Sequence, residues 1–126
     1  MIERTPYMDF LDVRLVDGGP PLTVEIGPST RFIGNPVLGA YHGGVIAGLI
    51  ECTTSSAIQP RFGQPIRLVS LTTSYLGRTD ATLVLTAVAE VTKSRGKVLA
   101  AHCRVYQGGD RLVAKATAIY QAVRDG

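Results

Sequence analysis

His42-Gly43-Gly44 opens a run of small and apolar residues, Val45-Ile46-Ala47-Gly48-Leu49-Ile50, and the run then meets a single carboxylate, Glu51, before Cys52. Burying a carboxylate is costly unless a partner compensates for the lost water. Glu51 is therefore either paired with an arginine from a neighbouring strand or kept for chemistry. Two adjacent glycines at the mouth of a helix leave backbone N–H groups that a ligand can approach closely. A donor able to polarise a carbonyl and an acid able to act as base or nucleophile then belong to one element, which points to chemistry on a carbonyl. His42 would line the same site, chiefly by orienting the loop through hydrogen bonds.

The elements that must position these groups follow from patterning. A helix starting at residues 42–44 and running to about Ile58 is mostly apolar and small, so it is expected to be buried on nearly all sides. Thr53-Thr54-Ser55-Ser56 suit the polar end of a cleft, and the segment 59–65, with two prolines, breaks the helix. Upstream, residues 5–11 form a short helix, 13–16 a strand, 17–21 a Gly/Pro turn and 22–26 a second strand paired back on the first. Residues 27–41 read as a long Gly/Pro-rich loop, and a connection of that length in a compact domain is usually functional. Downstream come strands at 66–76, 82–92, 97–106 and 111–123, separated by Gly-containing turns, with Leu83, Leu85, Ala87, Ala89 and Val91 on one face of the second. The fold class is α+β: one buried central helix wrapped by a curved antiparallel β-sheet, in a single domain spanning 1–126.

Composition narrows the function. A net charge of +3, no tryptophan and scattered basic residues argue against nucleic acid as a partner. A modest cluster at 93–97 suits a small anion such as a nucleotide phosphate better. No apolar stretch is long enough to span a membrane and the N-terminus lacks a signal-peptide core, so a cytoplasmic protein is expected. Cys52 and Cys103 lack metal-ligand spacing and, with only two histidines in the chain, no metal site is expected. Both cysteines read as buried free thiols.

Gly34-Asn35-Pro36, His42-Gly43-Gly44-Val45-Ile46 and Leu49-Ile50-Glu51 together resemble the hotdog-fold acyl-CoA thioesterases, in the branch with the phenylacetate-pathway and 4-hydroxybenzoyl-CoA enzymes. Thr73-Ser74-Tyr75-Leu76, Ser94-Arg95-Gly96-Lys97 and Leu112-Val113-Ala114-Lys115-Ala116 extend the likeness over nearly the whole chain. The resemblance implies that a backbone N–H of Gly43, or of Gly44 beside it, polarises the thioester carbonyl. It implies that Glu51 is nucleophile or general base, and that the hydroxyl one turn later, Ser55, holds the carboxylate or the attacking water. The polar residue which that family carries six before the histidine falls on Pro36 here, with Asn35 next to it as the substrate-binding candidate. Arg78, Arg95 and Lys97 are candidates for coenzyme A contacts. Coenzyme A enters as part of the substrate, and no separate cofactor is implied.

Spacing adds a further expectation. Gly43 and Glu51 are separated by about 12 Å along a helix axis, and the backward lean of the side chain recovers only about 4 Å. One thioester needs donor and acid both within contact, so two antiparallel helices from two chains are required. A homodimer with shared sites follows, and the resemblance implies the same, with assembly to a homotetramer. The expected substrate is a small aromatic or short- to medium-chain acyl-CoA, with Gly48 and Ala47 leaving room beside the helix. Two other functions fit the residues less fully: a hotdog dehydratase or hydratase, whose sequence patterns are missing, and a non-catalytic acyl-CoA-binding protein.

Overall fold

Thr5 begins the fold as a helix cap. Its Oγ1 accepts from the Met8 N–H at 3.3 Å, and Pro6 presets the backbone of a short helix, α1 (Pro6–Leu11). In the computed structural model, which describes residues 4–123, α1 leads into strands β1 (Arg14–Asp17) and β2 (Leu22–Ile26). A single 3₁₀ turn (Thr30–Phe32) and two short strands, β3 (Ile33–Asn35) and β4 (Ala40–Tyr41), precede the long helix α2 (Gly43–Phe62). Four strands complete the chain: β5 (Ile66–Tyr75), β6 (Leu85–Arg95), β7 (Val98–Gln107) and β8 (Arg111–Ala122). Residues 1–3, part of the N-terminus read as having no signal peptide, lie outside the described residues.

One six-stranded sheet, in the order β1-β2-β6-β7-β8-β5 with every neighbouring pair antiparallel, wraps α2. Its central strands make the wrapping possible. The buried positions facing the helix are mostly small: Ala87 and Ala89 of β6, Ala101 and Cys103 of β7, and Ala114, Ala116 and Ala118 of β8. Short side chains let a helix cylinder about 10 Å across settle into the concave face. Register shifts between Leu68 and Ser70, Val91 and Lys93, and Val105 and Tyr106 each add a local bend to the ladders around it. From the helix, Ile46, Leu49 and Ile50 join the larger core cluster, while Ile58 packs with Leu99, Ala118 and Tyr120 in a second one. The buried Thr53 and Thr54 hydroxyls donate back to the carbonyls of Leu49 (2.6 Å) and Ile50 (2.9 Å), and among the described residues no buried side-chain polar atom lacks a partner.

Two expectations are corrected. The helix does not break at the 59–65 segment but runs through Pro60 to Phe62, where Gly63 (φ +63°) caps it in the left-handed conformation. Pro60 lies in the last turn, so its missing N–H forfeits one bond, and Phe62 packs on the second cluster to hold that turn in place. The 27–41 segment is not structureless either: it contains the 3₁₀ turn and the β3–β4 hairpin. Among the described residues no helix is long and apolar enough to cross a membrane.

Cys52 and Cys103 are both buried and unpaired. Burial pushes the Cys103 thiol up to about 12; burial and then the nearby Glu51 charge push Cys52 up to about 11, and burial takes the Tyr120 phenol up to about 12. The folded state thus favours the protonated form of three groups that ionise at about 9 to 10 when exposed. Their contribution to stability is complete below pH 9 and is lost as pH rises from there towards 12. We expect the urea midpoint to fall between pH 8.5 and pH 11 before any change at neutral pH. A midpoint that holds steady across that interval would contradict the assignment.

Candidate active site

Helix α2 begins at an unusual cap. His42 sits at the N-cap position in extended conformation (φ −61°, ψ 135°), and its Nδ1 accepts the Gly44 N–H at 2.8 Å. An accepting Nδ1 carries no proton, so in the neutral ring the hydrogen is on Nε2. The backbone of His42 is tied from both sides. Its N–H donates to the Phe32 carbonyl (2.8 Å), and its carbonyl accepts from Val45 (3.0 Å) and Ile46 (3.2 Å). Gly34 on β3 makes room for it, since a Cβ there would stand 2.6 Å from the His42 Cα. Of the N–H groups in the first turn, those of Gly44, Val45 and Ile46 are thus occupied. Among the described residues nothing accepts the Gly43 N–H, which leaves it as the open donor at the positive end of the helix. The two glycines, interchangeable in the sequence, are distinguished by the His42 ring.

The Gly43 carbonyl receives a hydrogen bond from the Tyr75 hydroxyl at 2.8 Å, with the tyrosine ring within ordinary contact of Gly43.

Two turns further on, Glu51 differs from its expected setting. The sheet covers Ile46, Leu49, Ile50, Cys52, Thr53 and Thr54 but leaves a stripe of Gly44, Ala47, Glu51 and Ser55 exposed or half-buried. The Glu51 carboxylate is on that stripe and is exposed in the single chain, with no basic side chain within ion-pair distance among the described residues. The arginine-paired alternative therefore has no partner here. The turn carrying Glu51 is nonetheless firmly held. Buried Tyr120 of β8 donates to the Glu51 carbonyl at 3.1 Å, and its hydroxyl lies 2.9 Å from Thr54 Oγ1. Ser55 shares the stripe with Glu51, but its hydroxyl donates to the Cys52 carbonyl (3.1 Å).

Tyr7 of α1 lies across the helix at Gly48, where an added Cβ would overlap its hydroxyl. The room expected beside Gly48 is taken by this ring. Burial, and then the nearby Cys52 and Glu51, raise the Tyr7 phenol above its ordinary range. Tyr7 stacks on Phe10 (6.2 Å between centroids), Phe10 meets Phe32 (5.6 Å), and the Arg31 guanidinium covers both phenylalanine rings. An aromatic wall thus flanks the stripe at Glu51.

The substrate-binding candidates do not form one cluster. The Asn35 side-chain oxygen accepts the Val37 (3.1 Å) and Leu38 (3.2 Å) N–H groups and so builds its own turn. Arg78 lies at the Gly43 end, next to Thr79, whose hydroxyl accepts the Tyr41 N–H. Arg95 and Lys97 lie in the β6–β7 turn at the opposite end of the sheet, beside the start of β5. A ten-residue strand separates the two ends, about 30 Å. His42, Gly43 and Gly44 come together with Tyr75, which sequence reasoning missed along with Tyr120 and Tyr7. No group of His, Cys, Asp and Glu side chains among the described residues has the arrangement to hold a metal ion.

A family model, the acyl-CoA thioesterase N-terminal domain, matches residues 34–121, more than two thirds of the chain. No curated protein matches the sequence. Among solved structures, the PaaI protein from the phenylacetic acid degradation operon of E. coli superposes with a TM-score of 0.86 at 16% identity, covering 96% of this chain and 86% of that one. AziG of S. sahachiroi gives 0.86 at 21% identity over 98% and 100% of the two chains. A mutant of the phenylacetic acid degradation protein PaaI from Thermus thermophilus gives 0.84 at 19% identity over 94% and 100%. These likenesses establish the architecture as the hotdog fold.

The Tyr7–Gly48 contact can be tested directly. Alanine is favoured over glycine inside a helix by about 1 kcal/mol. We expect Gly48→Ala to gain that amount in a Tyr7→Ala background and to lose most of it when Tyr7 must move aside. Denaturant unfolding of the four proteins of the cycle reads the difference, and equal effects in both backgrounds would show that the ring does not press on Gly48.

Proposed function

The chain belongs to the acyl-CoA thioesterase family and is thereby a thioester hydrolase, and on that premise we propose that the Gly43 N–H of one protomer and Glu51 of its partner serve a single thioester across a homodimer interface. The observation that carries this reading is the separation of two groups on one helix: the open donor at its start and the carboxylate eight residues later on the stripe the sheet leaves bare. Within one helix they are about 12 Å apart. A two-fold axis that sets Gly43 opposite the partner's Glu51 must pass midway, at residue 47, and that residue is alanine, small enough for two helices to approach closely. The same axis swings the partner's Arg95–Lys97 turn towards the Arg78 end, so the two basic groups converge on the coenzyme A phosphates, with Asn35 shaping the loop beside them. Pairing of two such dimers gives the homotetramer.

The thioester oxygen accepts the Gly43 N–H, and the helix dipole stabilises the negative charge that develops there. Glu51 either attacks the carbonyl carbon, expelling the coenzyme A thiolate and leaving an anhydride that water then opens, or removes a proton from a water that attacks the carbon directly and expels the same thiolate, which takes up that proton. Ser55 steadies the carboxylate or that water once the interface forms. The His42 ring serves by occupying Gly44, which keeps the donor single. The exposed faces of Tyr7 and Phe10 beside the stripe suit a small aromatic or short- to medium-chain acyl group. No metal or cofactor takes part.

Two substitutions test the shared site. Glu51→Gln keeps shape and removes the base, and should lower kcat by about 10³-fold. Gly43→Pro removes only the donor: proline is welcome at the first helical position, and the ψ of 135° at His42 already suits a residue before proline. Each variant alone should keep only a small residual activity, measurable in single-turnover assays, towards a panel of aromatic and aliphatic acyl-CoAs. Mixed and reassociated in equal amounts, they should recover about a quarter of native activity, because half the dimers are mixed and each has one intact site. Recovery of nothing would mean that each chain works alone. An inactive native protein that still binds acyl-CoA would favour a binding role.

A further inference from the structure

The open Gly43 N–H is useful only if it is held still, and the local sequence works against that. Two successive glycines have the widest backbone freedom available, and the first peptide planes of a helix have no preceding turn to bond to. A donor on so loose a segment would have to be ordered during the reaction. In this structure both planes flanking the Gly43 Cα are pinned, the first by the helix's own opening turn and the second by side chains. The plane before it is fixed by the His42 carbonyl, which accepts from Val45 and Ile46. The plane after it is gripped at both polar ends by side chains: the Gly44 N–H donates to His42 Nδ1 (2.8 Å), and the Gly43 carbonyl, besides its ordinary bond within the helix, accepts from the Tyr75 hydroxyl (2.8 Å). The Tyr75 ring also lies 3.5 Å from where a Gly43 Cβ would stand, closing one side of the glycine.

We propose that Tyr75 is a positioning residue of the thioesterase reaction, which together with His42 clamps the Gly43–Gly44 peptide so that the Gly43 N–H is aimed before substrate arrives. This rests on the reading of Gly43 as the oxyanion donor. Tyr75 extends from the exposed end of β5, and among the described residues its hydroxyl bonds the Gly43 carbonyl and no core group. The clamp therefore joins the edge strand to the start of the helix at one point, the point at which charge would develop. Pre-organisation of this kind acts on the transition state and leaves ground-state binding alone.

Tyr75→Phe, which keeps the ring and deletes the hydroxyl, is the test, measured in the intact assembly with acyl-CoA substrate. We expect kcat to fall about tenfold with KM, thermal midpoint and oligomeric state unchanged, and the Gly44 amide to exchange with deuterium faster than in the native protein. In single-turnover assays, adding Tyr75→Phe to Gly43→Pro should cause no further loss, because the donor it positions is already gone. Native activity in Tyr75→Phe, or an equal tenfold loss in both backgrounds, overturns the clamp while leaving the Gly43 assignment intact. Full activity in Gly43→Pro overturns the donor assignment and the clamp with it.

Discussion

A helix that is apolar or small around nearly its whole circumference cannot rest on a flat sheet with its outer half in water. That constraint governs the rest of the molecule. The sheet must curve, and it does so over strands whose inward residues are largely alanine, with a register shift in each of three ladders around α2. Because the helix settles so deeply, Glu51 is the one exposed residue between residues 45 and 59. Core packing and the placement of the acid are thus one event: the same alanines that admit the helix decide which of its faces is left over.

The helix terminus depends on hydrogen bonds more than on packing. A cap built from an imidazole consumes one glycine N–H and leaves its neighbour free, while a buried tyrosine from β8 holds the backbone two turns later. The open Gly43 N–H and the Glu51 carboxylate are themselves lightly held, but the backbone that presents them is tied to the 3₁₀ turn, the edge strand and the centre of the sheet. Such an arrangement gives exposed groups fixed directions without burying them.

Much of this was legible in the sequence because the signals are local. The short first helix, the β1–β2 hairpin, the start of α2 at the glycine pair and the four-strand sequence after it follow from caps, turn residues and alternation within a few positions. His42, Gly43, Gly44 and Glu51 stood out for the same reason. The tyrosines did not: Tyr75 reaches Gly43 across 32 residues and Tyr120 reaches Glu51 across 69, and no periodicity links such distant positions. Nor could the exposure of Glu51 be read, since Gly44, Ala47, Glu51 and Ser55 do not form a polar face by composition. They form one only because the sheet stops short of them. Pro60 was read as a breaker because its cost is visible locally, while the packing of Phe62 that offsets it is not.

Tyr7 resting in the notch at Gly48 has a consequence for how this chain and its relatives can diverge. The two positions lie in different elements, yet one cannot gain bulk unless the other gives way. A lineage that places a side chain at 48 must shorten, turn aside or lose the aromatic at 7, and with it the stack through Phe10 to Phe32. Relatives should therefore sort into two classes by paired size at these sites, and the opening helix, which looks dispensable at the edge of the fold, inherits its residues under the restraint of the element that carries the acid.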